Sequence, residues 1–288
     1  MRDPLYVNGR FTTTDEKVIG VEDRGFQYGD AVYEVLKFLA KKPIFLEDHY
    51  RRLRNGLAIL DIHSPWQMLE EFASVCGELL ARTSAEDGLI YVEITRGECE
   101  RAHLYPRDIR PTAVAYARRW KFPDAERKRS GIRIVTAPDV RWEHCNVKSV
   151  NLLANVFAKQ KAMKEGADEA IMIRGREVTE GASANFFGVK YGRIITPPAT
   201  ARILPGTVRD HVISLAIDAG IRVDERPIVD HELFQLDEAF VTSTSQGVMP
   251  VSSIDGRSIG SGRRGVITER LQRAFDDLEA REAGLPLG

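Results

Sequence analysis

No apolar stretch in this 288-residue chain approaches the roughly 20 residues needed to span a bilayer. The start, Met1 to Arg10, also lacks a continuous apolar segment of the kind that directs secretion. A cytoplasmic protein without a membrane partner is the expectation. Charge of either sign is not in excess: 41 Lys and Arg against 42 Asp and Glu leave a formal net charge of −1, so no overall field gathers nucleic acid. The local basic clusters Arg118-Arg119-Trp120-Lys121 and Arg127-Lys128-Arg129 flank Asp124 and Glu126 and read as a solvated linker. The three cysteines, Cys76, Cys99 and Cys145, are odd in number and scattered, which gives neither a disulfide framework nor a paired-cysteine zinc site. Histidines at zinc-protease spacing and a phosphate loop ending in Gly-Lys-Ser/Thr are missing as well, and no metal is expected. Gly260-Ser-Gly262-Arg-Arg-Gly265 matches the dinucleotide fingerprint in letters only. No parallel strand leads into it, and Ile254-Asp-Gly-Arg-Ser258 reads as a hairpin turn.

What is present is globular: 43% apolar and 29% charged residues, in a chain long enough for two domains. Tyr6 to Phe11 reads as a hairpin on Asn8-Gly9, and Ala31 to Leu39 as a strand. Helical spacing covers Glu47 to Leu60 and Pro65 to Ala81, and strands return at Leu89 to Thr95 and Thr112 to Ala117. These make an N-terminal α/β domain over 1–117, followed by a linker over 118–131 and a C-terminal domain over 132–288.

The C-terminal part opens with the β-rich Ile132 to Thr136 and reaches Lys148 just before a helical pattern. In that helix Val150, Leu153, Ala154 and Phe157 share one face and Gly166 is the stop. Strand patterns follow at Glu169 to Arg174, Ala184 to Lys190 and Arg193 to Thr196, which places Glu180 in a turn region. Gly206 opens an amphipathic helix, where free backbone N–H groups and the helix dipole favour an anion such as phosphate.

Lys148 sits at an element junction, where a side chain can project into a cleft from a braced backbone. A lysine amine can form a Schiff base with an aldehyde cofactor, and a carboxylate such as Glu180 can keep a pyridine nitrogen protonated. Alone, each is more commonly a surface charge. Collectively, Glu22-Asp-Arg-Gly-Phe-Gln-Tyr-Gly-Asp30, Val32-Tyr-Glu-Val35, His49-Tyr-Arg-Arg-Leu53, Lys148-Ser-Val-Asn-Leu-Leu153, Val178-Thr-Glu-Gly-Ala-Ser-Ala-Asn185, Leu204-Pro-Gly-Thr-Val-Arg209 and Val241-Thr-Ser-Thr244 are more specific. In this order they resemble the fold-type IV pyridoxal-phosphate enzymes, especially D-amino-acid transaminases.

The resemblance implies an α/β, α+β-type, two-domain fold, with a smaller N-terminal α/β domain and a larger, strand-rich C-terminal domain binding pyridoxal 5'-phosphate. It implies Lys148 as the Schiff-base lysine and Glu180 as the partner of the pyridine nitrogen. Arg52 would bind the cofactor phosphate, for which a planar guanidinium is suited. Ser183, Thr207, Val208, Ser243 and Thr244 would also serve the cofactor, the helix-entry amides of Thr207 and Val208 meeting the same phosphate. Tyr33, Arg101, His103 and Ser245 would face the substrate. Arg101 and His103 resemble the carboxylate trap of D-amino-acid transaminases, on a loop that in the family reaches the other subunit's site, so a homodimer with shared active sites is implied. The implied reaction is ping-pong transfer of an amino group between a D-amino acid and a 2-oxo acid.

Two stretches depart from the pattern: Ala182 and Ala184 flank Ser183 where more hydroxyls are usual, and Gln246-Gly247 replaces a stretch that often includes a glutamate. The same fold also serves branched-chain L-amino-acid transaminases, (R)-amine transaminases and aminodeoxychorismate lyases. A pyridoxal-phosphate-binding protein without turnover is the alternative of a different class.

Overall fold

The computed structural model describes residues 2–287, and these divide into two compact units. The first comprises residues 2–121, Val147–Asn151 and Ala280–Leu287; the second comprises Phe122–Asn146 and Leu152–Glu279. Lys148 thus groups with the first unit, although in chain order it lies among residues of the second.

In the first unit the elements are β1 (Pro4–Val7), β2 (Arg10–Thr13), α1 (Arg24–Tyr28), β3 (Ala31–Leu39), β4 (Lys42–Pro43), α2 (Leu46–Ile59), α3 (Leu69–Arg82), β5 (Gly88–Thr95) and β6 (Thr112–Arg119). They build a six-stranded sheet in the order β2-β1-β6-β5-β3-β4, whose paired strands are all antiparallel. Alternation decides its faces. Val32, Leu36 and Phe38 of β3 join Ile90, Val92 and Ile94 of β5 in a core closed by Leu53 and Leu57 of α2 and by Phe72, Cys76 and Leu79 of α3. Each fully buried side chain of this size contributes about 1.5–3 kcal/mol. The expected helix from Pro65 starts later, at Leu69, because the Glu71 carboxylate accepts from Gln67 N and Met68 N and so caps the chain there.

The second unit contains α4 (Ala125–Ser130), β7 (Ile132–Pro138), α5 (Leu153–Lys164), β8 (Glu169–Arg174), β9 (Glu177–Gly181), β10 (Asn185–Lys190), β11 (Arg193–Thr196) and α6 (Thr207–Asp218). After α6 come β12 (Val223–Glu225), β13 (Ile228–Val229), a 3-10 turn (Asp230–Gln235), β14 (Glu238–Ser243), β15 (Gly247–Ile254), β16 (Arg257–Ser258) and α7 (Val266–Ala283). Ten strands form a mixed sheet in the order β12-β11-β10-β14-β15-β7-β8-β9-β13, with β16 paired to β15. The β15–β16 hairpin turns at Asp255-Gly256, both at positive φ. The glycines after it have packing reasons: a Cβ on Gly260 would lie 2.0 Å from Asp237 O, and one on Gly265 2.0 Å from Glu238 Cδ.

Three local expectations are corrected. Within the stretch read as linker, β6 extends to Arg119 and Asp124 caps α4 by accepting from Arg127 N. Its basic residues pair with acids: Arg118 with Asp3, Lys128 with Asp276 and Arg129 with Glu126. Glu180 lies in strand β9, not in a turn, because residues 177–181 pair with β8. Finally, α5 begins at Leu153 and buries Ala158 and Ala162, while Leu153 and Phe157 are 66% and 63% exposed. Small alanines let the helix lie close to β7 and β8, and this close approach, not the larger apolar stripe, decides which face turns inward.

Candidate active site

Lys148 belongs to a short irregular segment anchored on both sides. Val147 is buried in the first core, and Ser149 forms an isolated bridge with Val32 of β3. Tyr33 N donates to Lys148 O at 2.9 Å, and Lys148 Nζ lies 4.4 Å from the centroid of the Tyr33 ring. This cation–π contact places the amine over a strand aromatic, a position that neither residue type dictates alone. Tyr33 in turn stacks on Tyr91, and Tyr91 on Tyr116, along the face of the sheet opposite the core.

On the core face of β3, Glu34 is fully buried and accepts from Arg52 Nε at 2.7 Å and Arg52 Nη2 at 2.8 Å. His49 Nδ1 lies 2.7 Å from Glu34 Oε2. The i, i+3 spacing on α2 brings His49 and Arg52 to the same carboxylate. Burial alone would raise the Glu34 carboxyl, but the charge and hydrogen bonds of Arg52, with His49, hold it well below the usual carboxylate range. Burial lowers His49, and the Arg52 and Lys148 cations act in the same direction against Glu34. Above pH about 6.5 this contribution of His49 to stability is complete. As pH falls below that value the unfolded chain takes the proton first, so stability declines. We expect the urea midpoint to drop between pH 7.5 and 5.5 and His49→Gln to flatten that drop; an equally steep drop in the variant would contradict the assignment.

In the second unit Glu180, 5% exposed, is held from three directions. Arg141 Nη1 pairs with Oε1, Asn185 Nδ2 donates to Oε2 at 3.0 Å, and Leu204 N donates to the carboxylate at 3.1 Å. Arg141 is itself braced by Asp139 through bonds of 3.0 and 2.9 Å. Burial works against the Arg141 cation, yet its bonds to Asp139 and the charge of Glu180 raise it above its ordinary value. Asn185 also donates to Leu204 O at 2.9 Å and thereby ties Glu180 to the segment entering α6. A Cβ on Gly206 would lie 2.0 Å from Asn185 Oδ1, so only glycine permits this approach.

Helix α6 begins at Thr207 behind the N-cap Gly206. Gly206 makes no side-chain cap, and Thr207 and Val208 are buried first-turn residues. Thr207 Oγ1 and Ser243 Oγ are buried without a hydrogen-bond partner among the described residues, as is Thr242 Oγ1. Such hydroxyls cost stability unless something accepts from them, and a phosphate group fits that chemistry. We expect Ser243→Ala to leave the cofactor-free protein about as stable while weakening pyridoxal phosphate binding roughly tenfold, measured by cofactor fluorescence titration. Unaltered affinity would remove Ser243 from the phosphate set. Ser183 differs from this pair: the residue is exposed and its hydroxyl donates to Glu169 at 2.7 Å, where Lys159 also binds. Thr244 and Ser245 are half-buried in the turn between β14 and β15, which Gly247 closes at φ +63°.

Arg101 and His103 lie on an exposed loop between β5 and β6. Arg101 Cζ is 4.6 Å from the Tyr28 ring centroid, and the His103 ring is 5.9 Å from the same ring.

Residues 31–254 match the family described as Amino-transferase class IV. The chain belongs to that family. This class IV aminotransferase is 39% identical over 270 residues to the D-alanine aminotransferase of Bacillus licheniformis, covering 94% of this chain and 95% of that protein. It is 36% identical over 273 residues to the D-alanine aminotransferase of Staphylococcus haemolyticus, with 94% and 96% covered. In structure it is similar to the branched-chain amino acid aminotransferase of Escherichia coli, with TM-score 0.90, 27% identity and coverage of 98% and 96%. A further branched-chain amino acid aminotransferase, solved with pyridoxamine 5'-phosphate, gives TM-score 0.88 and 27% identity, with 98% and 95% covered. The mixed α/β fold is therefore fold type IV, and class IV aminotransferases depend on pyridoxal phosphate.

Several residues of the geometry escape a sequence reading. Glu34, His49 and Asn185 stand inside motifs that draw attention to their neighbours. Arg141 and Asp139 carry no local motif; the signal is a charged Asp-x-Arg just beyond β7, which matters only once β9 is known to lie near it.

Proposed function

We propose that this aminotransferase moves an amino group between a D-amino acid and a 2-oxo acid in two half-reactions, using pyridoxal phosphate. The observation that carries the reading is the orphan hydroxyl of Thr207 at the entry of α6, with a second at Ser243 at the end of β14, that entry being tied through Asn185 to a buried carboxylate beside a cation. Thr207, Val208 and Ser243 would hold the phosphate together with Arg52, whose guanidinium Glu34 orients, and Thr244 would add a donor. Ser183 would support this set through Glu169. Glu180 would accept the pyridine N–H, and Lys148 would bond the aldehyde carbon. When bound, the cofactor withdraws electrons from the substrate α-carbon.

The chain's own groups do the rest. Lys148 Nζ would accept the α-proton of the substrate and return it in the reverse sense. Tyr33 positions that amine by its ring. Arg101 and His103, with Ser245, would receive the substrate carboxylate and fix which hand of the α-carbon faces the lysine.

The curated relatives at 36–39% identity act on D-alanine by name, which supports the D-hand. The likeness to branched-chain aminotransferases supports a second reading, an L-transaminase, because the fold serves both hands. Turnover of D-alanine with 2-oxoglutarate, set against L-leucine with the same acceptor, decides between them. Activity with L-leucine alone would reject the D-reading.

We also propose a homodimer. The reading rests on the family resemblance of the Arg101 and His103 loop, and a subunit interface would cover some of the large apolar side chains that are more than 60% exposed, such as Phe26 and Leu104. A sedimentation mass of one chain at micromolar concentration would contradict it. A cytoplasmic location fits three unbridged cysteines, and no helix among the described residues is long and apolar enough to cross a membrane.

A further inference from the structure

The loop that carries Arg101 and His103 has exposed side chains on a backbone that is held. At its base, Gly97 at φ +113° lies so close to Arg110 that an added Cβ would be 1.8 Å from Arg110 O. Inside it, Arg24 Nη1 donates to Ala102 O at 2.7 Å and Arg24 Nη2 to His103 O at 3.4 Å. Arg24 is only 4% exposed, and its Nε donates to Asp30 Oδ2 at 2.9 Å. The same carboxylate takes Arg96 Nε at 2.8 Å and Nη2 at 3.0 Å. Arg96 continues to Leu60 O and Asp61 O at the end of α2, and its guanidinium lies 3.8 Å from the centroid of the Tyr105 ring.

The helix that supplies Arg24 is short but firmly placed. Asp23 caps α1 by accepting from Gly25 N and also accepts from Thr95 Oγ1 at the end of β5, both at 2.8 Å. Gly25 packs so tightly on Thr95 that a Cβ would come within 2.4 Å of it. From the last turn of α1, Gln27 Oε1 accepts from Arg101 Nη1 at 3.4 Å, and the Tyr28 ring underlies both Arg101 and His103. Backbone and side chains of 101–103 therefore rest on one helix, while no regular strand or helix runs through the loop itself.

We propose that α1 is the platform that presets the substrate-carboxylate receptor, with Arg24 as a positioning residue for the loop backbone and Tyr28 for the Arg101 and His103 side chains. This rests on the reading that Arg101 and His103 receive the carboxylate. A cation on a slack loop loses binding free energy to ordering, whereas one on a preset backbone does not. The Arg24 and Tyr28 side chains bear on the loop, whereas the contact of α1 with the segment after Lys148 runs through the C-cap backbone, Gly29 O accepting from Asn151 Nδ2 at 3.2 Å, and uses neither side chain.

The test uses the cofactor-loaded enzyme in single half-reactions, followed by visible absorption of the bound cofactor against D-alanine concentration. Arg24→Gln and Tyr28→Leu are expected to raise the half-saturating concentration about tenfold, with the maximal rate and the pyridoxal phosphate dissociation constant within about twofold of wild type. Arg24→Lys should recover part of the loss, since a cationic donor remains. If Arg24→Gln does not fold, Tyr28→Leu carries the test alone. Half-saturation unchanged in the folded variants, or a loss confined to maximal rate or cofactor affinity, overturns the platform. Arg101→Ala separates the layers. If it raises half-saturation while the α1 variants do not, only the platform fails; if it has no effect, the carboxylate reading fails with it.

Discussion

Lys148→Ala is expected to lower the single-turnover rate of amino transfer by at least ~10⁴-fold, because on the proposed reading one side chain would both bond the cofactor aldehyde and move the α-proton. The fold should survive the change. The segment is held by Val147 in the core, by the Ser149 bridge to Val32 and by the bond from Tyr33 N to the backbone carbonyl of residue 148, none of which uses the amine. What alanine removes is the cation over the Tyr33 ring, a contact of about 0.5–1 kcal/mol where partly exposed. Borohydride reduction of the loaded protein followed by peptide mass mapping gives a readout independent of rate. Wild type should carry the cofactor on the peptide containing residue 148, and the variant should carry none. Label on another lysine, or turnover within tenfold of wild type, would contradict the assignment.

The second large effect is expected at Glu180. Glu180→Gln keeps the size of the side chain and an oxygen acceptor for Asn185 or Leu204 N, but removes the charge that faces Arg141 and would face the pyridinium. Electrostatic stabilisers of developing charge are typically worth 10²–10³-fold in kcat, about 2.7–4 kcal/mol, and we expect a loss in that range. Asp139 remains bidentate to Arg141, so the cation is not left unpaired in the variant and the fold should tolerate the change. The maximal rate of the half-reaction should fall while half-saturation by D-alanine moves little, since Glu180 would act on the ring and not on the substrate carboxylate. A rate within threefold of wild type would show that the ring does not depend on this carboxylate.

Periodicity makes much of the fold legible. The alternation in β3 and the i, i+4 spacing of Leu53 and Leu57 in α2 mark two elements whose apolar side chains meet in one core, around the buried Glu34–His49–Arg52 group that periodicity does not announce. Pattern and packing disagree in α5. Leu153 and Phe157 look like a core stripe, but apolar spacing reports which side chains avoid water, not what covers them, and here two alanines set the buried face. Local composition puts Glu180 in a turn for a related reason: the strand around it is held by pairing with β8, a contact that the neighbouring residues do not announce.

At the candidate site, the residues that would touch the cofactor stand in ordered motifs and are readable by resemblance. Those that orient them are not. Glu34 faces Arg52 across 18 residues and Arg141 faces Glu180 across 39, so their roles exist only after folding. Between Ala182 and Ala184, Ser183 has Glu169 as its partner, and the positive φ at residue 247 suits glycine, while nothing in the structure explains Gln246. The family's fold does not by itself give the hand of the substrate, since the chain is similar both to D-alanine aminotransferases and to branched-chain aminotransferases; on the proposed reading it would depend on the loop of Arg101 and His103 and on α1 beneath it.

The most direct test of the central claim is to load the purified protein with pyridoxal phosphate, add D-alanine or L-alanine without an acceptor acid, and measure both the visible spectrum and the pyruvate released. The account predicts a visible band on loading, its loss with D-alanine and one pyruvate per chain, with L-alanine leaving the band in place. A protein that takes up no cofactor, or takes it up and releases no oxo acid from any amino donor, would contradict it.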